Sequence, residues 1–141
     1  YPEWAKFVFI GLATAGLSKI FDATHPEFFI AFVAAISGMF VRKIILEKKY
    51  NIYISWLIAA FVSTSVVNIC RTLGLQDFHG ALTACVLWLI PGVPLINGVL
   101  DILENHIVSG WAKVAMGFMM VFMIAVGFYL SLFLFGYGNT I

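Results

Sequence analysis

The sequence predicts an all-helical membrane protein with five transmembrane helices, the fourth of them broken at Pro91–Pro94. Of its 141 residues, 62% are hydrophobic and only 11% are charged, and the mean hydropathy is +1.02. A soluble domain carries about 25% charged residues. The apolar residues form continuous runs without strict alternation, which favours helices over barrel strands. Because a helical span needs about 20 apolar residues, five spans fill residues 1–141 as one transmembrane domain.

Each predicted span is an apolar run bounded by charged or turn-forming residues. The first closes at Asp22, and the third opens after the polar segment 48–51 and closes at Arg71. The five predicted spans are residues 4–21, 28–46, 52–70, 79–100 and 111–135.

The distribution of Lys and Arg predicts the orientation, because short basic loops stay in the cytoplasm. The loop between the second and third spans has the densest basic cluster. Alternation then places the N-terminus inside and residues 136–139 outside. Six basic residues fall inside and two outside: Lys6, Arg42, Lys43, Lys48, Lys49 and Lys113, against Lys19 and Arg71.

Composition and spacing also exclude several classes of function. The net charge is +1 and no basic run is dense enough to bind nucleic acid. Cys70 and Cys85 lie in apolar segments without a disulfide or metal motif, and we expect them to be inert. His25, His79 and His106 share no ligand spacing, so we expect neither a metal nor another cofactor. No catalytic motif is present, so an enzyme is not expected. Since the chain starts without Met or a signal peptide, we expect it to be a fragment or a processed chain.

The fourth span contains the sequence's strongest local irregularity. Pro91 and Pro94 have no backbone N–H, so the carbonyls of Leu87 and Ile90 lose their helical partners. Gly92 between the prolines adds backbone freedom. Pro91 lies about ten residues into the apolar run, roughly 15 Å at helical rise, which predicts a break near the membrane midplane.

Broken helices at this depth form binding sites in transporters, because a new half-helix presents free N–H groups to an anion. We expect the half-helix to begin near Leu95, with Asn97 in its first turn, Gly98 leaving space, and Asp101 four residues further on the same face. The substrate carboxylate would meet residues 91–94. Asn97 would orient the substrate, and Asp101 would bind an amine or carry a coupling proton. The alternative is a tolerated kink with Asp101 as an ordinary helix-end acid.

A polar stripe on the third span allows two interpretations. Thr64, Asn68 and Arg71 are spaced i, i+4 and i+7 and share one helix face. In lipid such a face should meet protein or a cavity, so Thr64 and Asn68 are candidate substrate contacts. The other interpretation is hydrogen bonding between helices, with Arg71 extending to the membrane surface.

Residues 89–101 read Leu-Ile-Pro-Gly-Val-Pro-Leu-Ile-Asn-Gly-Val-Leu-Asp, and Ser109-Gly110 follows. This segment resembles the signature of the threonine/serine exporter family, and the five-span layout extends the resemblance over essentially the whole chain. The resemblance implies a bacterial inner-membrane transporter subunit that exports threonine, serine or a short dicarboxylate such as succinate. It also implies a second five-span half, fused or separate, as partner; a homo-oligomer is the alternative. An acid within the membrane makes proton coupling the expected driving mechanism.

Two other functions compete with transport. One is a structural or channel-forming membrane subunit that does not itself transport. The other is an integral membrane enzyme that uses Asp101, Glu104 and His106 as acid and base groups, although it lacks a nucleophile or metal motif.

Overall fold

The computed structural model describes residues 2–74 and 79–136, and every regular element within them is a helix. The predicted all-helical class is therefore confirmed for this part of the chain. The helices are α1 (Glu3–Ile20), α2 (His25–Glu47), α3 (Ile52–Thr72), α4 (His79–Leu87), α5 (Gly92–Leu103) and α6 (Ile107–Gly136).

Local sequence signals explain where these helices begin and end. Thr24 and Glu27 form a capping box at the start of α2. The Asn51 side chain caps α3 by accepting a hydrogen bond from the Tyr53 N–H at 3.0 Å. Polar residues with positive φ follow three helix ends, where they turn the chain: Asp22, Lys49 and Asn105.

Helices α1, α2 and α3 pack in the order of the chain, each antiparallel to the one before it, and α6 packs beside α3. Helices α3 and α6 run in the same direction. Gly127 packs against Leu57 and Ala60, and further along both helices Ser131 bonds to Asn68. Helix α4 packs against α1, α2 and α3, whereas α5 packs against α6. Together α4 and α5 therefore return the chain to the end where α3 begins.

The bundle is packed with small residues inside and large ones outside. Its fully buried side chains include Ala31, Ala34, Ala59 and Ala60, whereas Phe9 and Phe29 are about two-thirds exposed. Small side chains let membrane helices approach closely, while lipid covers the large apolar ones. The distribution is that of a protein whose outer solvent is hydrocarbon.

Among the described residues, three helices are long and apolar enough to cross a membrane: α2, α3 and α6. Helices α4 and α5, bent by 49° at the break, make a fourth span if they count as one. Helix α1 is not among these spans. It has 18 residues, and three of them are charged: Glu3, Lys6 and Lys19. Three or four spans are thus supported, and five remain a prediction.

Candidate functional site

The fourth predicted span is broken in the structure. Helix α4 ends at Leu87 and α5 begins at Gly92, not near Leu95 as predicted. Pro94 consequently lies in the first turn of α5, where a missing N–H costs no helical bond. Pro91 precedes α5 and is the residue whose ring and missing N–H oppose continuation of α4.

The two carbonyls predicted to lose their helical partners both have local ones. The Leu87 carbonyl accepts from the Ile90 N–H at 3.2 Å, and the Ile90 carbonyl accepts from the Gly92 N–H at 2.8 Å. The two backbone carbonyls of the break are thus hydrogen-bonded within the turn itself. Any ligand of this region must be recognised by side chains or by N–H groups other than these.

The break lies beside the part of the bundle where α3 begins. Pro91 lines a cavity with Ile52 and Trp56, which are in the first two turns of α3. At helical rise, Trp56 is only about 6 Å from the start of α3. The depth of the break in a membrane stays a prediction.

A guanidinium and two indole rings surround the break. The Arg42 Cζ atom lies 3.8 Å from the centroid of the Trp56 ring, in cation–π geometry. Arg42 Nε, Trp56 Nε1 and Trp88 Nε1 are buried and have no hydrogen-bond partner within the described residues. Buried N–H groups without partners are rare in folded proteins. All three belong to residues that line one or both of the two cavities beside the break.

Two cavities share Arg42 and Trp56 as walls. The break cavity has a volume of about 340 Å³ and extends along residues 90–94. The inner cavity, of about 400 Å³, lies between α1 and Trp88. Its α1 wall is apolar except for Thr14, whose hydroxyl donates to the Ile10 carbonyl at 2.8 Å. Both volumes are in the range of small-molecule sites.

The walls of the two cavities are mostly apolar, and Arg42 is the cation among their described lining residues. Guanidinium and indole N–H groups only donate hydrogen bonds, and a carboxylate only accepts them. Within residues 2–74 and 79–136, none of the residues that line the two cavities is Asp or Glu. In the sequence, Arg42 indicates only topology, and neither Trp56 nor Trp88 stands out as a site residue. A usable signal was the position of Arg42 inside an apolar run, where charges are rare.

The predicted site residues fall into two groups. Asp101 Oδ2 accepts from Ser109 Oγ at 2.8 Å and from Lys113 Nζ at 2.6 Å, so the carboxylate already has a cation from α6. Asn97 is exposed on α5, and Gly98 is buried against α6. None of the three is among the residues that line the two cavities. The predicted residues that do line the break cavity are Pro91, Gly92 and Pro94.

Thr64 and Asn68 are buried between helices. Thr64 Oγ1 donates to the Ala60 carbonyl of its own helix at 2.7 Å. Asn68 Nδ2 donates to Ser131 Oγ at 3.2 Å, which joins α3 to α6. Arg71 is exposed at the end of the helix. These contacts are the ones that the helix-packing interpretation of the stripe requires, and neither Thr64 nor Asn68 lines the two cavities.

A bundle of apolar helices with a broken span and an anion-type cavity beside the break has the features of a multi-pass membrane transport protein. Comparison with known families gives the same result. Residues 1–135 match the model of the family described as "Putative threonine/serine exporter". The chain therefore belongs to the threonine/serine exporter family, as the resemblance of residues 89–101 implied.

Two curated relatives, one from Escherichia coli K12 and one from Klebsiella aerogenes, are both named "Probable succinate transporter subunit YjjP". Each is 29% identical over 140 residues, covering 96% of this chain and 54% of the relative. The chain thus spans about half the length of the curated relatives it matches. No solved structure matches it significantly.

Proposed function

We propose that this chain is the membrane part of a transporter subunit that exports a small carboxylate, preferring a short dicarboxylate such as succinate to threonine or serine. The observation that carries the proposal is the guanidinium of Arg42 with its neighbouring unpartnered indole N–H groups. The name of the two curated relatives, which mentions succinate, is consistent with a dicarboxylate substrate.

In the proposed binding mode, the carboxylate meets the edge of the guanidinium. Trp56 covers one face of the Arg42 side chain, and stacking leaves the N–H groups in the guanidinium plane available. A carboxylate can accept two of them in parallel, which is a strong and directional pairing. Trp88 also lines the inner cavity, and its indole N–H, which lacks a partner within the described residues, is the further donor that we propose for the carboxylate once the side chain turns toward it.

The same walls disfavour an amino acid. A zwitterion would bring its ammonium into cavities whose described lining contains no Asp or Glu. A cation that leaves water without an acceptor or counter-charge loses several kcal/mol, on the order of the cost of burying an unpaired charge. Asp101 forms an ion pair with Lys113, so its carboxylate already has a cation. We therefore expect discrimination against substrates with an α-ammonium group.

The proposed conformational change uses the break as a hinge between α4 and α5. Helix α4 is held in the bundle, whereas α5 packs on α6. Because α6 also packs on α3, the moving element is α5, and its movement on α6 about residues 88–91 would open the break cavity. Asp101 is proposed as the proton carrier, since its protonation would release Lys113, and Asn97 is proposed as a substrate contact on the moving helix.

A partner subunit is part of the proposal. The relatives are named as subunits, and this chain spans about half of their length. We propose that the full-length protein acts in the bacterial inner membrane with a second five-span subunit of the family, or with another copy of itself.

The test is flux of labelled succinate through proteoliposomes that contain the full-length transporter and its partner. Arg42→Lys keeps the charge but loses the planar fork, and we expect KM to rise about tenfold, equivalent to about 1.4 kcal/mol. Arg42→Gln should abolish flux. Arg71→Gln, an exposed arginine at the other end of α3, should leave flux unchanged. Normal flux in Arg42→Gln, or equal transport of threonine and succinate, would contradict the proposal.

A further inference from the structure

A short dicarboxylate has two negative charges, whereas the described lining of the break cavity and the inner cavity has one positive charge. Arg42 of α2 is the titratable residue of that lining. The other lining residues come from α1, α3, α5, α6 and the segment between α4 and α5, and they are apolar apart from Thr14 and the two tryptophans. Three further ionisable residues lie with Arg42 in a separate hollow and do not line the two cavities: Lys6, Lys43 and Glu47.

The N-terminus of α5, which lines the break cavity, does not supply a second positive charge. Pro94 has no N–H, and the Gly92 N–H donates to the Ile90 carbonyl at 2.8 Å. Of the first three residues of α5, this leaves Val93 with an N–H for a ligand. One backbone N–H is a hydrogen-bond donor but not a counter-charge. Arg42 can therefore neutralise one carboxylate of the substrate, and the second has no cation.

The second carboxylate of a bound dianion would lie in apolar surroundings without a counter-charge. A carboxyl group in such surroundings takes up a proton, because an unpaired charge costs far more to bury than a neutral acid. In water a carboxyl group titrates at a pH of about 4. The monoprotonated dicarboxylate is therefore a minor species at neutral pH, and its share falls about tenfold for each further pH unit.

Thr14 offers a hydrogen-bond partner to a protonated carboxyl group but not to a carboxylate. Its hydroxyl donates to the Ile10 carbonyl at 2.8 Å, so toward a ligand the Thr14 oxygen can only accept. A carboxylic acid has an O–H to donate, and a carboxylate has none. Thr14 and Arg42 both line the inner cavity. Together they suit a molecule with a carboxylate at one end and a carboxylic acid at the other.

We propose that the transported species is a monoanion, a short dicarboxylate with one carboxylate on Arg42 and the other carboxyl protonated and donating to Thr14. This inference rests on the proposed function and specifies the protonation state of its substrate. The dicarboxylate takes up one proton from water when it binds and returns it to water on the other side, so substrate and proton cross together. This proton is distinct from the one proposed for Asp101, which lines neither cavity.

The first test is exchange of labelled succinate across proteoliposomes that contain the full-length transporter and its partner, at equal pH on both sides. We expect the KM of succinate to rise about tenfold between pH 7 and pH 8, with kcat unchanged, because the protonated form becomes that much rarer. The control substrate is succinamate, in which an amide replaces one carboxyl group. Succinamate is a monoanion throughout this range and its amide can donate to Thr14, so its KM should stay constant.

The second test is the variant Thr14→Val, which keeps the side-chain shape and removes the acceptor. We expect the KM of both succinate and succinamate to rise about three- to tenfold, with kcat unchanged. Thr83→Val is the matched control, because Thr83 Oγ1 also donates to a carbonyl four residues earlier, that of His79 at 2.7 Å, but on an exposed part of α4. This control should behave as wild type. An unchanged KM in Thr14→Val, or an equal rise in Thr83→Val, would overturn the role of Thr14.

Three results would overturn the monoanion itself. A succinate KM that is the same at both pH values would mean that the dianion binds. An equal rise for succinamate would mean that a group of the protein titrates, and failure of succinamate to exchange or compete would mean that the site requires two charges. If Arg42→Gln abolishes flux in any of these cases, the protonation state is wrong and the proposed binding site stands. If Arg42→Gln transports normally, the proposed function fails as well.

Discussion

Glu27 is a buried carboxylate that joins the N-termini of two helices. Its Oε1 accepts from the Thr24 N–H at 3.0 Å and from Thr24 Oγ1 at 2.9 Å, and its Oε2 accepts from the Ala81 N–H at 3.3 Å. A negative charge at a helix N-terminus is stabilising, and here one carboxylate serves both α2 and α4. Gly80 permits this approach, because a Cβ there would lie 2.8 Å from Ala23 Cβ.

Glu27→Gln should therefore destabilise the bundle. The amide has only one acceptor oxygen, so the Thr24 or the Ala81 N–H loses its partner, at a cost of about 1–3 kcal/mol. Thermal unfolding in detergent measures the change. Glu104→Gln, at an exposed acid just after α5, is the control and should be neutral. Equal midpoints for the two variants would show that Glu27 is not a connection between helices.

Asp101→Asn tests the proposed proton carrier. The substitution keeps the shape and removes the charge that pairs with Lys113. We expect export driven by a pH gradient to be lost while substrate exchange is retained, because exchange need not release the proton. Asn97→Ala should weaken both modes, since it removes a contact rather than a charge. Flux in proteoliposomes with and without a pH gradient distinguishes these outcomes, and normal accumulation by Asp101→Asn would make the residue a structural ion-pair partner only.

For single residues, the sequence shows which polar side chains lie in apolar segments but does not show which residues they contact. Asp101 and Asn97 stand out because polar residues are expensive in an apolar segment. The stack of Arg42 on Trp56 joins residues 14 positions apart on different helices. No local pattern reports such a contact, which depends on how α2 packs against α3.

Among the elements, the break between α4 and α5 depends on one proline more than on the other. Pro91→Ala would supply the N–H that the Leu87 carbonyl lacks in a helix, allow α4 to continue, and increase stability by up to about 3 kcal/mol. We expect transport to be abolished. Pro94→Ala, in the first turn of α5, should leave both nearly unchanged. Succinate flux and thermal unfolding measure the two effects, and normal flux in Pro91→Ala would mean that the hinge is a tolerated kink.

The α5–α6 hairpin depends on close contact between glycines. A Cβ on Gly110 would lie 2.6 Å from the Gly98 carbonyl oxygen and 2.9 Å from the Ile102 backbone nitrogen. Backbone atoms cannot move aside, so Gly110→Ala should separate the helices and cost about 1–3 kcal/mol. Gly16→Ala on α1, where a Cβ meets nothing within 4 Å, should be neutral or stabilising. Thermal unfolding of both variants tests this, and equal stability would argue against tight packing in the hairpin.

The elements themselves were predictable where charges bound an apolar run. Helices α1, α2 and α3 match the predicted spans to within a few residues for this reason. The position of the break along the chain was predictable from the missing N–H of Pro91. Its place beside the other helices was not, because the contact of α4 with Glu27 and Ala23 joins residues far apart in the sequence.

For the whole molecule, the parallel course of α3 and α6 bears on topology. A reporter fused after Lys49 should be active only in the cytoplasm and one fused after Ile141 only outside, because three crossings separate the two points if α4 and α5 form one broken span. Residues 137–141 themselves lie outside the part of the chain that the structure describes. If both reporters are active on the same side, the number of crossings is wrong and the parallel course of α3 and α6 is contradicted.

Helix α6 is longer than the membrane requires. Its 30 residues measure about 45 Å, against about 30 Å of hydrocarbon. Met120 packs near Trp56, so Lys113, seven residues earlier, lies roughly 5 Å beyond the first residue of α3. If the hydrocarbon layer ends where α3 begins, the pair of Lys113 with Asp101 lies at the level of the lipid headgroups. We therefore expect anionic headgroups to compete with Asp101 for Lys113, and the contact between α5 and α6 to depend on the lipid composition of the bilayer.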